Sequence, residues 1–183
     1  QPDRLPPRRP RARERPHARA GYTADTQYLL GDALLVAPVF RADGRAEYYV
    51  PEGTWTRLVQ PDDGPALSET VTGPRWVTET HGFDSLPVLV RPGTVLPVGA
   101  RTDRPDYDWA DGVTLHAFEL PDGYDELVVV PPSDGAAGAT FRVRRSGATL
   151  TVSSDDAPAA WSVRAGAATA EAHGATRVTL DLG

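Results

Sequence analysis

The sequence predicts an all-β protein built from two small antiparallel β units. Short apolar or alternating segments recur along most of the chain, separated by Asp-Gly, Ser-Gly and Pro-Gly turns, which is the spacing of a β-sandwich. Glycine and proline number 17 and 18 among 183 residues, a composition suited to many tight turns. No stretch carries a convincing long helical period. Ala165 to Ala175 is alanine-rich, but Gly166, Gly174 and interrupting threonines weaken a helix there.

Asp25 to Leu30 reads as the last turns of a helix, with Gly31 placed to take the left-handed C-terminal position. A strand from Leu34 to Phe40 follows. Its run Ala33-Leu34-Leu35-Val36-Ala37 is apolar on both faces, so it requires cover on both sides. Ala46 to Val50 and Thr54 to Val59 are predicted as two strands joined by a bend at Pro51-Glu52-Gly53. By the two-residue period, Trp55 and Arg57 share one face while Thr54, Thr56 and Leu58 share the other. A loop of about eight residues is expected after Pro65, then strands over Arg75 to Thr80, Ser85 to Arg91 and Thr94 to Val98. Pro87 marks a strand start or an edge, and Pro92-Gly93 a turn. Arg101 to Gly112 is a loop and a domain boundary. Beyond it, strands are predicted over Val113 to Leu120, Glu126 to Val130, Thr140 to Arg145, Ala148 to Val152, Trp161 to Arg164 and Thr176 to Leu182.

The net charge is -6, and every one of the 19 basic residues is arginine. Seven of those arginines fall in the first twenty residues, against only Asp3 and Glu14. That segment holds five prolines up to Gly21 and a single large aliphatic, Leu5, so residues 1–24 are expected to be a disordered or mismatched basic segment. An acidic body argues against nucleic acid as a partner. With no cysteine, disulfides and thiolate metal sites are excluded. No apolar run has membrane-spanning length and no secretory signal is visible, from which a cytoplasmic location without a membrane partner is expected. Gln1 in a chain without methionine points to a processed or truncated product.

Candidate chemistry is sparse. A glycosidic bond is cleaved by two rigid carboxyls about 5 to 9.5 Å apart. Asp62-Asp63 and Asp155-Asp156 instead sit in turns, where both members are normally solvated. Asp103, Asp106, Asp108 and Asp111 alternate with Tyr107 and Trp109, a mix suited to a sugar face or a calcium ion, or to ordinary turn capping. His17, His81, His116 and His173 lack metal-ligand spacing, although Glu79 and His81 share a strand face. Trp55, Trp76, Trp109 and Trp161 are either core residues or a sugar-stacking platform. No catalytic, cofactor-binding or metal residue is assigned.

Three ordered blocks resemble glycoside hydrolase family 31, nearest to its bacterial α-xylosidases, with α-glucosidases close behind. They are DTQYLLGDALLVAPVF (Asp25 to Phe40), EYYVPEGTWTRL (Glu47 to Leu58) and the long stretch from Arg75 to Leu120. The resemblance covers roughly residues 25–123 and implies two antiparallel β-sandwich domains following the end of a (β/α)8 barrel. Residues 25–32 would close the barrel as its last helix. Residues 33–100 would be the proximal C-terminal sandwich and residues 101–183 the distal one. It also implies a parent that is a retaining α-glycosidase, with an aspartate nucleophile and an aspartate acid/base upstream of Asp25. No residue here matches either, so the chain alone is expected to be inactive and the upstream barrel to be its intramolecular partner, with a homo-oligomer left open. Arg8 to Gly21 does not look like barrel sequence, for which a frameshifted or misjoined start is the expectation. Without the barrel, an exposed apolar patch is expected around Leu29, Leu34, Val36 and Phe40. The alternative is a non-catalytic carbohydrate-binding module.

Overall fold

The computed structural model describes residues 26–59, 66–133 and 135–183. These form thirteen strands and, among the described residues, no helix. None of the described residues forms a helix long and apolar enough to cross a membrane.

The first unit is one sheet folded over on itself. β1 (Tyr28–Leu30) and β2 (Leu34–Val36) form a hairpin, with Leu29 opposite Leu35. The helix expected over Asp25 to Leu30 is therefore corrected. Gly31 is left-handed, at φ 63°, but it turns a hairpin and caps no helix. Next come β3 (Arg45–Val59), β4 (Ala66–Thr80) and β5 (Val88–Val90), giving the spatial order β1-β2-β5-β3-β4. Pro87 does stand immediately before a strand, and its carbonyl accepts the Ala37 N–H at 3.0 Å.

β3 and β4 are each 15 residues long, where separate shorter strands were expected. Pro51-Glu52-Gly53 is a bulge within β3 and not a hairpin bend, since the β3–β4 ladder continues on both sides with a shift between Val50 and Gly53. The extra residue changes the parity of the strand, so Trp55 joins Tyr48 and Val50 on the core face. Opposite the bulge, a Cβ on Gly73 would lie 1.9 Å from the Pro51 carbonyl oxygen, so only glycine fits. The bulge also bends the ribbon sharply. Glu79 pairs with Ala46, eleven residues from Arg57 along β3, which is about 35 Å on a straight strand. The Arg57 and Glu79 side chains nonetheless meet at 2.6 Å. The two halves of the hairpin therefore lie face to face over Leu35, Tyr48, Val50, Trp55, Val71 and Leu89.

On the other side of β3, β5 pairs only at Thr56 and Arg57. The Gln27 side chain fills part of the gap. Its amide oxygen accepts the Tyr49 N–H at 2.6 Å, and its amide nitrogen donates to the Tyr49 carbonyl at 2.9 Å.

The second unit is a sandwich of two four-stranded sheets. β6 (Thr94–Val98), β7 (Val113–Phe118), β11 (Ala160–Ala165) and β12 (Ala168–His173) form one, in the order β12-β11-β7-β6. β8 (Asp125–Val130), β9 (Ala139–Ser146), β10 (Thr149–Ser153) and β13 (Arg177–Asp181) form the other, in the order β13-β10-β9-β8. Between the sheets, Phe141 and Trp161 pack at 5.1 Å between ring centroids, both essentially buried. Such a pair contributes about 0.5 to 1.5 kcal/mol beyond its buried area. The Trp161 indole N–H is satisfied by the Ala175 carbonyl at 3.0 Å.

Three expectations change here. Thr94–Val98 was assigned to the first unit, yet it pairs with β7 in the second, so the switch of sheets falls at Arg91 to Gly93. Gly93, left-handed at φ 77°, donates to the Phe118 carbonyl at 2.8 Å, and the Arg91 guanidinium lies 5.8 Å from the Trp55 ring centroid. The pairing of β7 with β11 is parallel, whereas antiparallel pairing was expected throughout. Ala168–His173, left without an element in the sequence reading, is a strand paired to β11.

Candidate functional site

Three places concentrate chemistry. The first is a polar cluster on the folded hairpin. Glu79 Oε1 accepts from Tyr48 Oη at 2.9 Å, from Arg57 Nη1 at 2.8 Å and from His81 Nε2 at 3.0 Å. His81 Nδ1 lies 3.2 Å from Ser85 Oγ. Burial alone would raise the Glu79 pKa, but the bonds from Arg57, His81 and Tyr48 outweigh it and hold the carboxyl at about 2. Burial, then the neighbouring carboxylate, push the Tyr48 phenol up. The cluster has the residue types of a Ser-His-Glu array. Its carboxylate, however, is already bound by a guanidinium and a phenol, and it does not line the groove described next. Sequence placed Glu79 and His81 together but missed Tyr48, which the β3–β4 ladder sets diagonally beside Glu79, and Arg57, which only the fold-over brings in.

The second place is a groove of about 370 Å³ where the loop after β6 meets the end of β8. It is lined by Arg101, Arg104, Pro105, Tyr107, Trp109 and Pro131, among others. Trp109 is 38% exposed yet firmly held. Its indole N–H donates to the Pro105 carbonyl at 2.8 Å, and its backbone N–H donates to Ser133 Oγ at 3.2 Å. Ser133 in turn donates to the Tyr107 carbonyl at 2.6 Å. The phenol of Tyr107 sits over Gly99, where a Cβ would come within 1.8 Å of the hydroxyl. Asp103 binds Arg101 through both carboxylate oxygens, at 2.9 and 2.8 Å, and Arg104 lies 3.9 Å away.

The third is apolar surface on the first unit. Leu29 and Phe40 are exposed as expected, along with Tyr28 and Leu30. Val36 is instead buried and Leu34 half-buried, because β2 lies between β1 and β5.

The remaining candidates scatter. Asp108 caps a turn by accepting the Ala110 N–H at 3.0 Å, while Asp106 and Asp111 are simply exposed. Asp156 accepts from Thr140 N at 2.9 Å and Ser154 Oγ at 2.8 Å, and Asp155 is exposed. His173 is a surface residue beside Glu171. His116 is buried with Nδ1 lacking a partner, and burial followed by the Arg164 charge lowers its pKa. Trp55 and Trp161 are core, whereas Trp76 is 40% exposed and packs edge-on against Tyr49 at 5.6 Å. No three His, Asp or Glu side chains converge as a metal site among the described residues. His17, Asp62, Asp63 and the basic segment 1–24 lie outside them.

Comparison with known proteins adds two family matches. Residues 4–96 match the glycosyl hydrolase family 31 C-terminal domain, a range that includes most of the arginine-rich segment. Residues 108–182 match the C-terminal domain of the α-xylosidase YicI. An α-xylosidase of Emericella nidulans is 39% identical over 68% of this chain, and one of Lactiplantibacillus pentosus is 32% identical over 72%. The chain spans only 16% of the length of each. A Listeria monocytogenes protein crystallised with glucose, magnesium and calcium shares the fold at a TM-score of 0.62 and 19% identity, over 86% of this chain and 19% of that one.

Proposed function

The chain belongs to glycoside hydrolase family 31, and from that premise we propose that it is the non-catalytic C-terminal part of a longer retaining α-glycosidase. One observation carries the reading. Every described aspartate and glutamate except Glu79 is exposed, and Glu79 is neutralised by Arg57. A retaining mechanism needs two carboxyls about 5 Å apart, one ionised as nucleophile and one held protonated as acid. The described residues offer one half-buried carboxylate, held at about 2, which cannot donate a proton near neutral pH.

The relatives' names favour α-xylosides as substrates of the parent, with α-glucosides as the neighbouring class. Within that parent the partner of this chain is the upstream barrel. The exposed Tyr28, Leu29, Leu30 and Phe40 supply apolar surface for such a contact. A cytoplasmic location belongs to the same reading and is tested by cell fractionation.

The central test is turnover of an aryl α-xyloside and an aryl α-glucoside by the purified chain. No hydrolysis above a heat-killed control is expected. Reproducible turnover that survives repurification would overturn the proposal.

A further inference from the structure

The groove beside Trp109 gathers an indole, a phenol and two guanidinium groups along one concave surface, and the one half-buried carboxylate described above, Glu79, is not part of it. We propose that this groove is a saccharide-binding site that stacks a neutral pyranose ring on Trp109 and hydrogen-bonds it through Arg101 and Arg104. This deepens the glycosidase reading above and rests on it for the class of sugar.

Three observations support a ligand site over a merely exposed loop. First, Trp109 is partly exposed but pinned at both its backbone and its indole N–H. A surface indole fixed in advance loses little further freedom when a ring stacks on it, which favours weak, shape-selective binding. Second, the donors are present and held. Arg101 is oriented by two bonds to Asp103, which leaves other N–H groups of its guanidinium for sugar hydroxyls. Arg104 has only a 3.9 Å approach to the same carboxylate, so its donors remain for a ligand. Third, the groove's volume of about 370 Å³ lies in the lower part of the small-molecule range of roughly 300 to 1,000 Å³.

Charge selects the occupant. The body of the chain is acidic, and Asp106, Asp108 and Asp111 stand on the same loop, which disfavours a polyanion. Asp103 offsets much of the cationic charge of the two arginines. A neutral, hydroxyl-rich ring with apolar faces is complementary to what remains.

The experiment is a titration of the ¹⁵N-labelled chain with isomaltotriose, read at the tryptophan indole and loop amide signals. A saturable shift is expected at the Trp109 indole and at the Arg101 and Tyr107 amides, with Kd on the order of 1 mM. In Trp109→Ala, the shifts at the Arg101 and Tyr107 amides weaken at least about tenfold. In Arg104→Gln, whose side chain is on the surface, binding weakens about threefold. Trp76→Ala binds as the unaltered chain does. If Trp109→Ala fails to fold by circular dichroism, the Trp109 indole of the unaltered chain and the Arg104→Gln variant still decide. No shift at Trp109 up to about 50 mM sugar, or equal affinity in Arg104→Gln, overturns the site. These outcomes are independent of the turnover assay, so the groove can fail while the glycosidase reading stands.

Discussion

Replacing Glu79 by glutamine would separate the polar cluster from the apolar core that surrounds it. The carboxylate takes hydrogen bonds from Tyr48, Arg57 and His81, and its side chain is only 19% exposed. Its folded pKa is about 2, against 4.5 for an ordinary glutamate. A difference of that size corresponds to about 3 kcal/mol, which partial exposure reduces to about 2 kcal/mol. Because the folded carboxyl gives up its proton more readily than the unfolded one, the cluster stabilises above about pH 4.5. That stability drains away as pH falls towards 2. Glu79→Gln should therefore be less stable than the parent by about 2 to 4 kcal/mol at pH 7, since it also leaves Arg57 half-buried without its counter-charge. For a unit of this size, a loss of 2 kcal/mol is a drop of about 8 to 16 °C in Tm. The gap between the two chains should narrow by about 1.5 kcal/mol between pH 4.5 and 2.5. Asp43 and Asp125 also sit at about 2 in the folded chain, but both persist in the variant and cancel in the difference. Urea unfolding followed at the Trp55 indole signal is the suitable assay, because the two units need not unfold together. A gap that stays constant across this pH range would refute the argument, as would no gap at pH 7.

Other outcomes follow from the same geometry. Gly73→Ala should destabilise the first unit by more than about 2 kcal/mol, because its Cβ collides with backbone and not with a movable side chain. Thermal unfolding checks this, and an unchanged Tm would show that the bulge is softer than it looks. Burial makes the folded His116 hold a proton less readily than the unfolded chain does, so stability should fall as pH drops below about 6.5. His116→Leu should remove that part of the slope, measured as stability at pH 7 against pH 5.5.

The limits of sequence reading are physical and local. Most strands of the second unit were legible because each alternates cleanly, with inward Leu150 and Val152 or Phe141 and Val143 against polar neighbours. β12 was not, because its inward residues are all alanine, too small to announce a core face, even though Thr169, Glu171 and His173 alternate with them. In the first unit, Pro51-Glu52-Gly53 has the composition of a turn, and a bulge uses the same residues. The left-handed conformation of Gly31 was readable, but glycine ends a helix and turns a hairpin with the same φ. The placing of Thr94–Val98 failed for another reason. Proximity in sequence favoured the preceding unit, while partner choice was made by β7, a long way further on. The Trp109 loop was singled out from its aromatics and aspartates. Arg101 and Arg104 were not, because nothing local to them reveals that the chain returns at Pro131 to close a groove.

The Gln27 amide acts as a one-residue substitute for a strand. Between Arg45 and Trp55, no other strand pairs with β3 on the side away from β4 among the described residues. A bare edge of that length is a template on which another chain can add itself. By occupying both backbone groups of Tyr49, the amide interrupts the register that an incoming strand would need. Any shortened version that starts after Gln27 keeps every strand of both units and still exposes this edge. The difference would show in sedimentation and light scattering as self-association, not as a loss of fold. Solubility in this protein would then hang on a side chain that belongs to no strand at all.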